Sequence, residues 1–170
     1  MDIVKQQPKA KWQRNLVALG PSIFLGLTLL VSGTGKVPGQ TEFIDILLQS
    51  FWTPTMAYLA GYCLPWVEIA LGALLLLGVF TRIAAALCLP LTIGFIANNA
   101  WAVSQGMTQF PTCGHCFGVW EELLGAMTPL QALGFDIVLF CLALVILLFH
   151  PSRFVNFRPW FIKGKTEEFK

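Results

Sequence analysis

The residues best suited to chemistry in this chain lie in the stretch PTCGHCFG, residues 111–118, where Cys113 and Cys116 flank Gly-His. Two cysteines at this spacing can close a reversible disulfide, and a protonated imidazole beside them favours the thiolate form. We therefore interpret Cys113 as the attacking thiol, Cys116 as the resolving thiol and His115 as the residue that tunes both. A structural Cys113–Cys116 disulfide that holds a loop is the alternative interpretation.

The chain that carries this motif has the composition of an integral membrane protein. Of its 170 residues, 56% are hydrophobic and 12% are charged, against about 25% charged in an ordinary soluble domain. The net charge of +2, without a basic patch, gives no reason to expect nucleic acid as a partner. Stretches long enough to cross about 30 Å of hydrocarbon lie at about 16–32, 56–80, 83–104 and 130–149. The predicted fold class is all-α, a polytopic bundle of four transmembrane helices.

The basic residues predict how this bundle is oriented. Ten of the eleven lysines and arginines lie before the first stretch, between the second and third, or after the fourth, and Lys36 is the eleventh. Because basic residues accumulate on the cytoplasmic side, both termini are expected there, in a cytoplasmic membrane of bacterial type. The expected parts are a basic tail at 1–15, the membrane domain at 16–150 and a second tail at 151–170. The 33–55 and 105–129 loops, and the CGHC motif with them, are then on the outer side.

Two local patterns lie in the outer loops. Residues 41–52, TEFIDILLQSFW, place apolar side chains at helical spacing over too short a length to span a membrane. They predict a short amphipathic interfacial helix that seals the outer face of the bundle. In the second loop, Thr128 followed by Pro129 predicts the capped start of the fourth helix.

A metal or haem role for the motif does not fit the sequence. Zinc needs about four ligands, and the second histidine, His150, is expected on the cytoplasmic side. Covalent haem attachment needs a histidine directly after the second cysteine, where this chain has Phe117. We predict no metal site.

Five polar residues lie within or at the ends of the apolar stretches, and such residues usually face a bundle interior. They are Lys36, Glu68, Asn98, Asn99 and Asp136. One interpretation is an intramembrane polar pocket that holds a quinone headgroup or moves a proton. The other is a network of hydrogen bonds that joins the helices.

Three stretches resemble a known family. LGPSIFLGLTLLVSGTGKV, residues 19–37, resembles the first helix of the DoxX-like membrane proteins, with Ser32, Gly33 and Lys36 matching its ending. LPWVEIALGALLLLGVFTRIAA, residues 64–85, resembles their second helix. CGHCFG resembles the cysteine-rich loop of the MauE branch, which usually reads Cys-Gly-Cys-Phe-Gly, so that His115 is an insertion here. The resemblance covers about residues 16–150 and implies a four-helix bundle with a part in disulfide formation in periplasmic partners.

Two functions follow as hypotheses. The first is a membrane thiol–disulfide oxidoreductase or disulfide-formation helper that acts on a periplasmic thiol protein and is linked to a quinone. The second is a non-catalytic accessory subunit of a larger respiratory or photosynthetic membrane complex, in which CGHC is a structural disulfide.

Overall fold

The computed structural model of the chain describes residues 7–108 and 127–149, with side chains from residue 19 onward. These ranges contain five helices. They are α1 (Gln7–Lys36), α2 (Gln40–Leu48), α3 (Pro54–Leu77), α4 (Thr81–Ser104) and α5 (Pro129–Phe149). The cysteine–histidine motif at 113–116 lies outside the described residues.

Three of these helices, α3, α4 and α5, are long and apolar enough to cross a membrane. They correspond to the stretches predicted at 56–80, 83–104 and 130–149. The first stretch, 16–32, lies inside α1, which begins at Gln7 within the segment expected to be a tail. A membrane crossing by α1, and with it the count of four, stays a prediction.

The end of α3 comes three residues earlier than the sequence suggested. Gly78 adopts a left-handed conformation, with φ 69°, which ends a helix most easily at glycine. The Val79 N–H donates to Leu74 O at 3.1 Å, and the Gly78 N–H donates to Leu75 O at 3.3 Å. This pair of bonds is a Schellman motif, and it starts the tight turn into α4.

The long helices run in alternating directions, and glycines let α1 and α3 approach closely. A Cβ on Gly72 would lie 2.7 Å from Gly26 O, and a Cβ on Gly33 would lie 2.7 Å from Pro65 O. The later glycine of α1, Gly33, faces the earlier residue of α3, Pro65. The two helices are therefore antiparallel. We call the end of the bundle that carries α2 the α2 end, and the opposite end the Arg82 end.

The apolar core joins the four long helices. Its buried residues are Leu25, Leu29, Leu71, Leu75, Ala84, Ala85, Cys88, Leu139, Ala143 and Ile146. At the Arg82 end, Arg82 donates from Nε and Nη2 to Leu147 O at 3.3 and 3.0 Å. These bonds tie the start of α4 to the last turn of α5, where carbonyl groups lack helical partners.

The helix predicted at 41–52 is present but shorter, because α2 ends at Leu48. Its apolar side packs on α3 through Phe43 and Leu47, which contact Ala57. Ile46 is also buried, whereas Phe51 was expected to continue the apolar face and is instead exposed beyond the helix end. The location of α2 in the membrane interface stays a prediction.

The start of α5 agrees with the cap expected at Thr128. The Gln131 N–H donates to Thr128 Oγ1 at 3.3 Å, and the Thr128 N–H donates to Gln131 Oε1 at 3.0 Å. This reciprocal pair is a capping box. It fixes the point at which the chain re-enters the bundle after the segment that carries the cysteines.

Candidate functional site

A buried ion pair joins α1 to α3 near the α2 end. Lys36 Nζ donates to Glu68 Oε1 at 2.6 Å. The two residues are only 5% and 0% exposed. Lys36 is the last residue of α1, where the partial negative charge of the helix terminus also favours a cation. The Ser32 hydroxyl faces the same carboxylate.

Two aromatic rings enclose the ammonium group of this pair. Lys36 Nζ lies 5.1 Å from the ring centre of Phe43 on α2 and 4.5 Å from that of Phe95 on α4. Both distances are within the range of a cation–π interaction. The Gln40 side chain donates to Gly61 O at 3.1 Å, which holds the start of α2 on α3. The short helix α2 therefore covers the ion pair.

A second buried polar pair joins α4 to α5. Asn99 Nδ2 donates to Asp136 Oδ2 at 2.6 Å, and both residues are buried. Phe95, over which the Lys36 ammonium lies, is four residues before Asn99 on α4, so the two pairs lie along the same side of that helix. We call Lys36, Glu68, Asn99 and Asp136 the buried polar cluster.

Asn98 was expected in the same pocket, but its side chain lies apart from this cluster. Its Oδ1 accepts hydrogen bonds from Ser50 Oγ at 2.9 Å and from Trp52 Nε1 at 3.1 Å. Adjacent residues of a helix point about 100° apart. Asn99 can therefore reach α5 while Asn98 reaches the turn after α2. Asn98 links α4 to that turn and is a structural neighbour of the cluster.

An open cleft beside Asn98 has a volume of about 260 Å³, open space included. Ser50, Trp101 and Met107 are among its other lining residues. Its enclosed part has room for only about one water molecule. Glu68 is fully enclosed by protein. The quinone site that the sequence suggested near Glu68 and Asn98 stays a prediction.

Several partners of the cluster were not anticipated from the sequence. Phe95 is one apolar residue in an apolar helix, so no sequence pattern distinguishes it from its lipid-facing neighbours. Phe43 was recognised only as part of an amphipathic face. The spacing of 32 residues between Lys36 and Glu68 gives no local indication that the two side chains meet.

The predicted catalytic residues Cys113, His115 and Cys116 lie outside the described residues, and their roles stay predictions. The three cysteines within the described ranges are free thiols. Cys88 is buried in the core, whereas Cys63 and Cys141 are exposed on the outer surface of their helices.

Long apolar helices that enclose a buried ion pair define a polytopic membrane protein of the helical-bundle class. The family described as methylamine utilisation protein MauE matches residues 14–149, which is most of the chain. The chain therefore belongs to the MauE family of membrane proteins. No curated protein and no solved structure matches it.

Proposed function

We propose that this MauE family protein is a membrane thiol–disulfide oxidoreductase or disulfide-formation helper that works through Cys113 and Cys116. The observation that carries the proposal is the Cys-Gly-His-Cys sequence in the segment between α4 and α5. A C-x-x-C pair with an intervening histidine has the composition of a reversible dithiol. The same four residues occur in protein disulfide isomerase.

The exchange proceeds through a mixed disulfide. In the oxidising direction, a partner thiolate attacks the Cys113 sulfur, the Cys113–Cys116 bond breaks and Cys116 leaves as a thiolate. A second partner thiolate then attacks the partner sulfur of the mixed disulfide and releases Cys113. The partner gains one disulfide, and this chain gains two thiols. Protonated His115 stabilises the Cys113 thiolate and so makes it the better leaving group in the second step.

The described helices support a reaction at the α2 end. Thr108 follows α4, and Thr128 precedes α5, both at that end of the bundle. Cys113 is five residues beyond Thr108, which corresponds to a reach of at most about 18 Å for an extended chain. We therefore propose that a partner reaches the dithiol from the α2 end.

The orientation that we propose makes the α2 end the outer one. The basic residues of the termini and Arg82 then lie on the cytoplasmic side. An outer dithiol would be in the compartment where disulfides persist. The same proposal has α1 as a fourth membrane-crossing helix, α2 in the interface and a DoxX-like ancestry for the bundle.

The proposed reaction does not include reoxidation of the dithiol. A quinone was the acceptor suggested by the sequence, and it stays a prediction. The proposed activity is therefore the exchange itself, with the partner disulfide or dithiol as the co-substrate.

Trapping of the mixed disulfide tests the proposal. In Cys116→Ala, the Cys113 thiolate can still attack a partner disulfide and release one partner thiolate, and Cys116 is then absent to resolve the mixed disulfide that forms. We therefore expect adducts that a reductant releases, when intact membranes are acid-quenched and separated without reductant. Cys113→Ala should give far fewer adducts. The matched controls are Cys63→Ala and Cys141→Ala, which remove exposed thiols in the helices and should behave as wild type.

One outcome of the same experiment favours the alternative function, a non-catalytic accessory subunit. If Cys116→Ala forms no adducts while the wild-type pair stays oxidised, CGHC is a structural disulfide. The chain would then be better described as an accessory subunit of a larger membrane complex.

A further inference from the structure

We infer that the buried polar cluster is a proton-binding site, in which the carboxyl groups of Glu68 and Asp136 together hold one proton at neutral pH. This site is separate from the cysteine chemistry proposed above, and its ligand is a proton delivered from water.

The buried polar cluster contains more acidic groups than basic ones. Among the buried side chains of the described residues, the charged types are one amine, Lys36, and two carboxyls, Glu68 and Asp136. Lys36 is in direct contact with Glu68. If both carboxyls were ionised, the cluster would carry one uncompensated negative charge. Burial of such a charge is costly, and a buried carboxyl takes up a proton instead.

No other charged group on the surrounding helices offsets this excess within the described structure. On α1, the group that faces the cluster is Lys36 itself. On α2, Glu42 and Asp45 are exposed. On α4, the neighbour of Asp136 is the neutral amide of Asn99. Arg82 lies 17 residues from Asn99 along that helix, or about 25 Å, and bonds to Leu147 O.

An unsatisfied acceptor in the cluster supports the same conclusion independently. Glu68 is 0% exposed, and its Oε2 accepts no hydrogen bond of standard geometry from any described group, although the Ser32 hydroxyl faces the same carboxylate. A buried carboxylate oxygen without a donor is rare, because it forfeits its hydration. A proton within the cluster removes this cost in one of two ways. It provides a hydrogen for this oxygen, or it makes the Glu68 carboxyl group neutral.

Infrared spectroscopy tests the site directly, with the full chain in lipid nanodiscs at about pH 7, far above the usual pKa of a carboxyl group. A protonated carboxyl absorbs at a higher frequency than an ionised one and shifts in heavy water. We expect one such band in wild type. It should persist in Cys113→Ala, because the proton does not depend on the cysteines.

Substitutions within the cluster distinguish a proton that the two carboxyl groups share from a proton that belongs to one residue alone. Asp136→Asn leaves Lys36 with Glu68, and Glu68→Gln leaves Lys36 with Asp136. Each variant has balanced charge, so each should lose the band. Lys36→Met removes the cation and should increase the band about twofold, because both carboxyls then need a proton. The control Glu42→Gln removes an exposed carboxyl and should leave the band unchanged.

Two results would overturn the inference. The first is the absence of a protonated carboxyl band in folded wild-type protein, which does not depend on any variant. The second is loss of the band in Asp136→Asn while Glu68→Gln keeps it at full intensity, or the reverse. That pattern would assign the proton to one residue irrespective of the charge of the cluster.

Discussion

Lys36 at the end of α1 donates a hydrogen bond to Glu68 in the middle of α3 across 2.6 Å, in a space that side chains from α2 and α4 close. The ion pair thus fixes one point of contact between two long helices. The short helix α2 covers this pair through Phe43. In an apolar bundle this pair is the strongest candidate for a contact that sets the register between α1 and α3.

We first predict that removing one member of this pair is much worse than removing both. Lys36→Met or Glu68→Leu alone should lower the free energy of unfolding by about 3–5 kcal/mol, because each breaks the direct contact of a buried ion pair by removing one partner. The double variant should recover most of that loss, since two apolar side chains of similar volume are often tolerated at such sites. Thermal or denaturant unfolding in detergent gives the double-mutant cycle. Losses that simply add would contradict a direct interaction.

The second prediction concerns the close approach of α1 to α3. In Gly33→Ala the new methyl group would lie 2.7 Å from Pro65 O and 2.8 Å from Ile69 Cγ1. We expect a loss of about 1–3 kcal/mol, typical of overpacking. Gly94→Ala and Gly134→Ala are matched helical controls with no atom within 4 Å of the new group. They should be neutral or stabilising by up to about 1 kcal/mol through helix propensity. Equal effects at all three positions would mean that the glycine contact is not tight.

These two features also show what the amino-acid sequence could and could not predict. The three spans at 56–80, 83–104 and 130–149 were predictable, because apolar length decides whether a helix can cross a membrane. The separation of Asn98 from Asn99 was not, because rotation of a helix about its axis depends on the packing of its neighbours. The early end of α2 at Leu48 was missed because Phe51 and Trp52 continue the apolar spacing. Trp52 instead donates its indole hydrogen to Asn98.

The third prediction tests the capping box at the start of α5. Thr128→Ala should cost about 0.5–2 kcal/mol, because the hydroxyl that accepts from the Gln131 N–H is lost. Thr34→Ala is a suitable control, since its hydroxyl bonds back to Leu30 O inside an already complete helix. Unfolding midpoints of the two variants, measured side by side, give the comparison. A larger effect at Thr34 would contradict the assigned role of the cap.

The fourth prediction concerns the link between α4 and the turn after α2. Asn98→Ala removes the acceptor shared by Ser50 and Trp52. We expect faster hydrogen exchange of the α2 backbone amides, because one of the contacts that hold this segment on the bundle is lost. Asn98→Asp keeps an acceptor and should exchange at close to the wild-type rate. Unchanged exchange in Asn98→Ala would indicate that the packing of Phe43 and Leu47 and the Gln40 hydrogen bond hold α2 in place without Asn98.

The measurement that tests the central claim most directly is a redox titration of Cys113 and Cys116 in intact membranes. Thiols would be trapped with a mass-shifting reagent after equilibration in glutathione buffers, with Cys113→Ala and Cys116→Ala as references. The account predicts a couple that equilibrates within minutes near about −180 mV, in the range of isomerase-type dithiols. A pair that stays oxidised below about −300 mV, as structural disulfides do, would contradict it.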